Sequence, residues 1–355
     1  MRLTGLSYKT ANWELNEIEF EDVSLIVGKN ATGKTRTLEV LHRLYEIITQ
    51  KREIRESGEW DINFLNEDYT LNYNIKTRFD NITNSVLISE RMTVGQALFF
   101  ERKEDVFIIK NELTKEVENG YPPPNKLVIH VARDIKKYPL IEHLVKWAEQ
   151  SFGFRFGSVS PRYFLENNEF SFLSEIGHLP ALLQSLTNAS RHQIINDLSI
   201  IGFPVEKLEI VQSGLPIINL TEKNIGIKIL AGDISQGMFR SLAILIFIEY
   251  LISKKSTATI IIDDLCEGLD YERATKLGRL LFDKCLANRI QLIATSNDMF
   301  LMDVVDLKYW NVLQRNGQVV AAINAKNHPA LFEDFKFTGL SNFDFFASDY
   351  IAQNL

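Results

Sequence analysis

Gly28-Lys29-Asn30-Ala31-Thr32-Gly33-Lys34-Thr35 is the stretch whose reading decides the fold. Glycine, four residues, a second glycine, lysine and a hydroxyl residue is the spacing of a phosphate-binding loop. The flanks agree with it. Val23-Ser24-Leu25-Ile26-Val27 reads as a short buried strand, and Leu38, Leu41, Leu44 and Ile48 recur at helical spacing. A strand, a glycine-bounded loop and a helix N-terminus set a row of backbone N–H groups around one concavity, where the helix dipole adds partial positive charge. Lys34 is placed to reach the β- and γ-phosphates of a nucleotide, and the Thr35 hydroxyl to take a position on Mg²⁺. A chance glycine turn would carry the same letters, but not a strand before it and a helix after it.

Working outward, 355 residues suffice for one large domain or two modest ones. Apolar residues at 45% and charged residues at 24% are ordinary for a soluble globular protein. A net charge of -7 argues against a general electrostatic grip on nucleic acid, while leaving room for a local basic groove. Two cysteines, Cys266 and Cys285, give no disulfide framework and fit a reducing cytosol. Met1-Arg2-Leu3-Thr4 lacks the layout of a signal peptide. The longest apolar run, Leu242 to Ile252, contains Glu249 and is too short for a bilayer. The expected location is therefore the cytoplasm, with no membrane partner.

The pattern divides the chain into four stretches. Residues 1–120 hold the phosphate loop and, from about Tyr69 to Glu112, short alternating segments such as Thr70-Leu71-Asn72-Tyr73-Asn74-Ile75 that read as an antiparallel meander. Gly120-Tyr121-Pro122-Pro123-Pro124 is the sharpest break. Residues 121–204 form a mainly helical lobe, opened by a strand at Lys126–Val131. Its best-marked helix is expected to start at a Ser190-x-x-Gln193 capping box and to end at Gly202, ahead of Pro204. Residues 205–310 begin with strands at 205–212, 216–220 and 226–230. Residues 311–355 make a final strand and an aromatic tail. The expected class is α/β, a mixed sheet flanked by helices with an antiparallel β subdomain and a helical lobe.

The region 205–310 carries the second half of a nucleotide site. Ala258-Thr259-Ile260-Ile261-Ile262-Asp263-Asp264 is an apolar strand ending in two carboxylates, and ligands meet polar groups at the carboxyl ends of such buried strands. Asp263 is assigned to Mg²⁺, through its hydration shell and opposite Thr35. Asp264 is assigned to orienting or deprotonating the attacking water. About 28 residues earlier, Ile234-Ser235-Gln236-Gly237-Met238 precedes an apolar helix over 239–252, with Ser235 as its N-cap and Gly237 permitting close backbone approach.

In this order, these motifs resemble the ABC-type ATPases, and within them the non-transporter group related to SMC, RecF and OLD proteins. The loop has Asn30 at that family's usual Asn and Ala31 where glycine is usual. Ile234–Met238 is similar to the signature motif, Ile260–Asp264 to the Mg²⁺-binding strand with its catalytic carboxylate, and Leu269-Asp270 to the dimer-contact loop. Gln291-Leu292-Ile293-Ala294-Thr295-Ser296-Asn297 occupies the switch position. Two departures stand out: Asp264 replaces the family's glutamate and Asn297 its histidine, which points to slow hydrolysis. No convincing glutamine loop is visible. The resemblance implies ATP and Mg²⁺ as cofactors and a homodimer with two ATP molecules between protomers. By the same resemblance, Ser235, Gln236 and Gly237 of each copy are expected to face the phosphate held by the other. It also implies a separately encoded effector, such as a nuclease in DNA maintenance or anti-phage defence. The competing readings are a transporter's ATPase subunit and a hydrolysis-poor ATP sensor.

The span of about 200 residues from Lys34 to Ser235 is too short for long coiled-coil arms, and the 58 residues after Asn297 leave no room for a nuclease domain. Phe332, Phe335, Phe337, Phe343, Phe345, Phe346 and Tyr350 crowd the tail and are expected to dock on the chain's own head. Tyr8 and Trp13 are candidates for stacking on adenine, with packing the preferred reading; Arg133 is a candidate for contacting phosphate or Mg²⁺-bound water, with a surface arginine preferred; Cys266 is read as a small packing residue. The six histidines show no metal-ligand spacing with the cysteines.

Overall fold

Alternating segments and continuous apolar runs sort into two structural units. A computed structural model describes residues 1–155, 179–213, 215–223, 226–348 and 350–354. The first unit comprises Met1–Glu21, Gly28–Ser151 and Asn311–Ile323; the second comprises Asp22–Val27, Phe152–Trp310 and Asn324–Leu355.

Ten strands build the first unit. In spatial order they are Trp310–Asn316, Val319–Ile323, Trp13–Glu19, Arg2–Thr10, Gly58–Leu65, Thr70–Asp80, Ser85–Val94, Ala97–Lys103, Val106–Lys110 and Val117–Gly120. Val319–Ile323 runs parallel to Trp13–Glu19, and Gly58–Gly120 is an antiparallel meander, so the sheet is mixed. The period-two pattern acts as expected: Leu71, Tyr73 and Ile75 are buried while their neighbours face outward. Trp147, on the helix Pro139–Glu149, meets Phe64 of the sheet edge-on at 4.7 Å.

The expected strand at Lys126–Val131 is instead a turn followed by the short helix Val128–Val131. Leu127, Val128 and Ile129 are all fully buried, and a continuous apolar run carries no periodicity to separate strand from helix. The fixing contacts are polar. Glu90, completely buried in the meander, accepts from Val128 N (2.8 Å) and Tyr73 Oη (2.8 Å), with Arg102 Nη1 at 3.6 Å. His130 Nδ1 accepts from Leu127 N at 3.1 Å, so its Nε2 carries the proton and donates to Ile47 O at 3.0 Å.

In the second unit the strand order is Ser151–Arg155, Thr259–Asp263, Gln291–Thr295, Val23–Val27, and the last three are parallel neighbours. Every residue of those three strands is buried, the signature of a parallel sheet covered on both faces. A separate antiparallel sheet is made by Val205–Ser213, Leu215–Glu222 and Lys228–Leu230. Residues 156–178 lie outside the described residues. The helix around Ser190 spans Asn188–Ile201, and its cap is Thr187, whose Oγ1 accepts from Ser190 N at 3.2 Å. Gly202 closes it in the left-handed conformation, at φ 104°.

The helix Gln236–Ser253 is long and apolar enough to cross a membrane, yet 72% of it is buried within the protein, against Leu179–Ser185 and Asn188–Ile201. One ammonium ties this bundle together. Lys284, on the helix Tyr271–Ala287, lies 2.8 Å from Asp197 Oδ2 and 2.5 Å from Glu249 Oε1, joining three helices through a buried ion triplet.

The aromatic tail packs on its own unit. Phe345 is fully buried between Phe332 and Phe335, at 4.7 and 4.8 Å, with Trp310 at 6.4 Å. Asn342 Nδ2 donates to Val305 O at 2.9 Å, and Phe343 N to Asp303 Oδ1 at 2.8 Å. Burial of each phenyl ring contributes roughly 1.5–3 kcal/mol. Phe337, by contrast, is 87% exposed.

Candidate nucleotide site

The phosphate loop is shaped by three backbone demands. A Cβ at Gly28 would lie 2.6 Å from Thr32 Oγ1 and 3.0 Å from Leu313 O, so only glycine fits. Gly33 has φ 107° and is the N-cap of the helix Lys34–Ile48, leaving that helix's first N–H groups without a side-chain cap. Ala31 has φ 65°, a region costing an L-residue roughly 1–2 kcal/mol, which explains why a glycine suits this position. Arg315 Nη1 donates to Ala31 O at 3.2 Å and Thr32 Oγ1 to Lys29 O at 2.8 Å, holding the turn. Lys34 is buried, and its Nζ donates to Gly28 O at 2.6 Å and to Lys29 O at 3.3 Å. Thr35 is half-buried in the first helical turn, while Lys29 and Asn30 are exposed. The loop thus leads into a helix N-terminus with no side-chain cap, and one ammonium is folded against the loop's carbonyls.

The second unit gathers the acidic residues. Asp263 and Asp264 end one parallel strand, and Thr295 ends its neighbour. Thr295 Oγ1 donates to Asp263 Oδ1 at 2.7 Å and accepts from Asp264 N at 2.8 Å, so one hydroxyl aligns both carboxylate-bearing residues. Asp264 is half-buried, with φ 53°. Arg155 Nε lies 3.7 Å from Asp263 Oδ2. Ser296 Oγ donates to Leu265 O at 3.0 Å and accepts from Asp298 N at 3.0 Å, which leaves Asn297 exposed at the same strand end. Thr295 and Arg155 escape motif reading: the first lies inside the switch stretch, and the second ends the short strand Ser151–Arg155, which carries no motif. Thr295→Val keeps the shape and removes both bonds. It should cost about 1–3 kcal/mol, read by chemical denaturation, because Asp263 and Asp264 N each lose a buried partner.

Ser235 caps the helix Gln236–Ser253, its Oγ accepting from Met238 N at 3.3 Å. The helix begins three residues earlier than the apolar pattern indicates, so Gln236 and Gly237 are helical. Ser235 and Gln236 are exposed; Gly237 is buried, and a Cβ there would lie 2.5 Å from Leu269 Cδ2. Arg240 Nη1 donates to Glu267 O at 2.6 Å. The signature segment and the loop Glu267–Asp270 are therefore packed together. Asp270 caps the next helix, accepting from Arg273 N at 3.0 Å. Burial pushes the Cys266 thiol pKa well up, as befits a packing residue. Arg133 pairs with Glu142 at 2.6 Å. Trp13 and Tyr8 are 1% and 3% exposed and cannot offer a ring face to a base.

Asp263, a carboxylate at a strand end, and Thr35, a hydroxyl in the first turn of the phosphate-loop helix, each carry the hard oxygen that Mg²⁺ takes, a cation that keeps several waters and phosphate oxygens rather than a protein cage.

A glycine-framed loop on a helix N-terminus and an acid-ended strand in a parallel sheet define a P-loop nucleoside-triphosphate-binding protein. The chain belongs to the family described as "AAA domain, putative AbiEii toxin, Type IV TA system", whose model matches residues 23–303. It is an AAA-type P-loop domain by that match, and its mixed sheet flanked by helices has the fold of an SMC head. Among solved structures it is similar to an SmcHead bound to the C-winged helix domain of ScpA. There the TM-score is 0.56 at 10% identity, covering 93% of this chain and 100% of that one. It is also similar to the Smc head domain with an extended coiled coil bound to the C-terminal domain of ScpA derived from Pyrococcus furiosus. The TM-score is 0.52 at 10% identity, covering 94% and 99%. At such identities the likeness speaks for the fold alone. No curated protein matches the sequence.

Proposed function

We propose that this protein is an ATP-driven switch that binds ATP with Mg²⁺, closes into a homodimer around two nucleotides, hydrolyses them slowly and controls a separate effector. The observation that carries the reading is Ser235. It stands exposed at the N-terminus of an 18-residue helix, where N–H groups and dipole favour an anion, and Gly237 locks that end against Leu269. Within each copy, the loop N–H groups and Lys34 bind the phosphates. Thr35 and Asp263 are the groups that would hold Mg²⁺, which when bound neutralises charge on the β- and γ-oxygens. Asp264, aligned by Thr295, orients the attacking water and takes its proton; Asn297 donates a hydrogen bond to the terminal phosphate without adding charge. Ser235, Gln236 and Gly237 complete the site from the other protomer, with Asp270 beside them at the contact.

An effector fits the partner-bound state of the similar Smc heads, and a nuclease in DNA maintenance or anti-phage defence is the class proposed for it. The cytoplasm is the proposed location. Asp264→Asn with MgATP tests the switch, because it retains binding and removes the base. Light scattering should show the mass doubling on ATP addition, and Lys34→Ala should remain monomeric. A monomer under saturating MgATP would refute the dimer. Phosphate release from wild type that is no faster than from Lys34→Ala would favour a sensor that does not hydrolyse.

A further inference from the structure

Arg36 follows Thr35 in the first turn of the phosphate-loop helix and is exposed. Its guanidinium carbon lies 4.5 Å from the centre of the Trp13 ring. Behind it runs a buried aromatic row: Trp13 to Tyr8 at 5.9 Å, and Tyr8 to Trp60 at 4.8 Å. Trp13 also underlies the loop itself, since a Cβ on Gly33 would meet its Cζ2 at 3.3 Å. A guanidinium is a flat plate with two stacking faces. One face here rests on Trp13, and an exposed side chain leaves the other toward solvent at the rim of the phosphate cradle.

We propose that Arg36 is the base platform of the nucleotide site: the purine of a nucleotide held by the loop stacks on its outer face, with the buried Trp13 holding the plate in place. The inference rests on the nucleotide reading above and adds what that reading lacks, the group that recognises the base. Stacking of this kind tolerates different bases but weakens with smaller rings, so purine triphosphates should bind ahead of UTP, and inorganic tripolyphosphate should gain nothing from Arg36.

The test is calorimetric titration of the full chain with MgATP, MgUTP and magnesium tripolyphosphate. Arg36→Ala should weaken ATP about tenfold and leave tripolyphosphate unchanged. Arg36→Lys should weaken ATP nearly as much, because an ammonium keeps the charge and loses the plate. Equal weakening of ATP and tripolyphosphate, or full rescue by lysine, would overturn the proposal, since the side chain would then serve phosphate. Lys34→Ala separates the two levels. If it loses both ligands, the phosphate site stands and only Arg36 is in question; if it loses neither, the nucleotide reading falls and the platform falls with it.

Discussion

Replacing Lys34 with alanine is expected to lower affinity for MgATP by on the order of a hundredfold or more, with the fold intact. Lys34 is the buried charge of the loop, already drawn over the cradle by the carbonyls of Gly28 and Lys29. Its ammonium can leave those acceptors for phosphate oxygens of full negative charge, a stronger pairing than neutral carbonyls give. Alanine retains helix propensity at this first-turn position, so circular dichroism and melting should change little. Titration with a fluorescent ATP analogue measures the loss, and an affinity within threefold of wild type would contradict the assignment of the loop.

The largest stability effect is expected at Glu90. Glu90→Ala deprives Val128 N and Tyr73 Oη of their acceptor and removes a carboxylate from beside Arg102, whose side chain is only 2% exposed. Breaking a buried ionic pair from one side costs about 3–5 kcal/mol. Burial pushes the Glu90 carboxyl up from 4.5 to about 7, against the pull of its hydrogen bonds and of Arg102. An acid whose pKa is raised by folding holds its proton more tightly in the native state. Its stabilisation is complete below about 4.5 and is lost as the pH rises through 7, a change of roughly 3 kcal/mol. His130 works in the opposite direction: burial pushes it down to about 4, so its contribution is present above its ordinary 6.5 and lost as the pH falls through 4. The difference in unfolding free energy between wild type and Glu90→Gln cancels the histidine. It should move against wild type by about 3 kcal/mol between pH 4.5 and 7.5. A difference constant across that range would mean that Glu90 does not titrate.

The phosphate loop and its flanking strand and helix were legible in the sequence because they depend on local backbone rules. Gly28 and Gly33 are required by contacts and a φ that other residues resist, and the helix after them is written in the spacing of Leu38, Leu41 and Leu44. The acid-ended strand and the Ser235 cap were equally local. The errors lie where local rules run out. Lys126–Val131 became helix because Glu90 and Ile47, distant in sequence, supply its polar partners. The helix expected to be capped by Ser190 is capped by Thr187, one turn earlier, since both residue types can serve as caps and the letters alone do not choose between them. Thr295, Arg155 and Arg36 act through neighbours brought in by the fold: one across two strand ends, one beside Asp263, one on Trp13.

The ion triplet at Lys284 bears on how motion would pass through the second unit. Glu249 sits near the far end of the helix that Ser235 begins, and Asp197 lies on a helix that also packs against it. A charge desolvated among these helices is costly to pull from either carboxylate, so sliding one helix past another is opposed at this point. In the switch proposed above, a phosphate held at Ser235 would therefore load the same helix that Lys284 ties to Asn188–Ile201, which makes the outer face of Asn188–Ile201 the place where an effector would read the bound state.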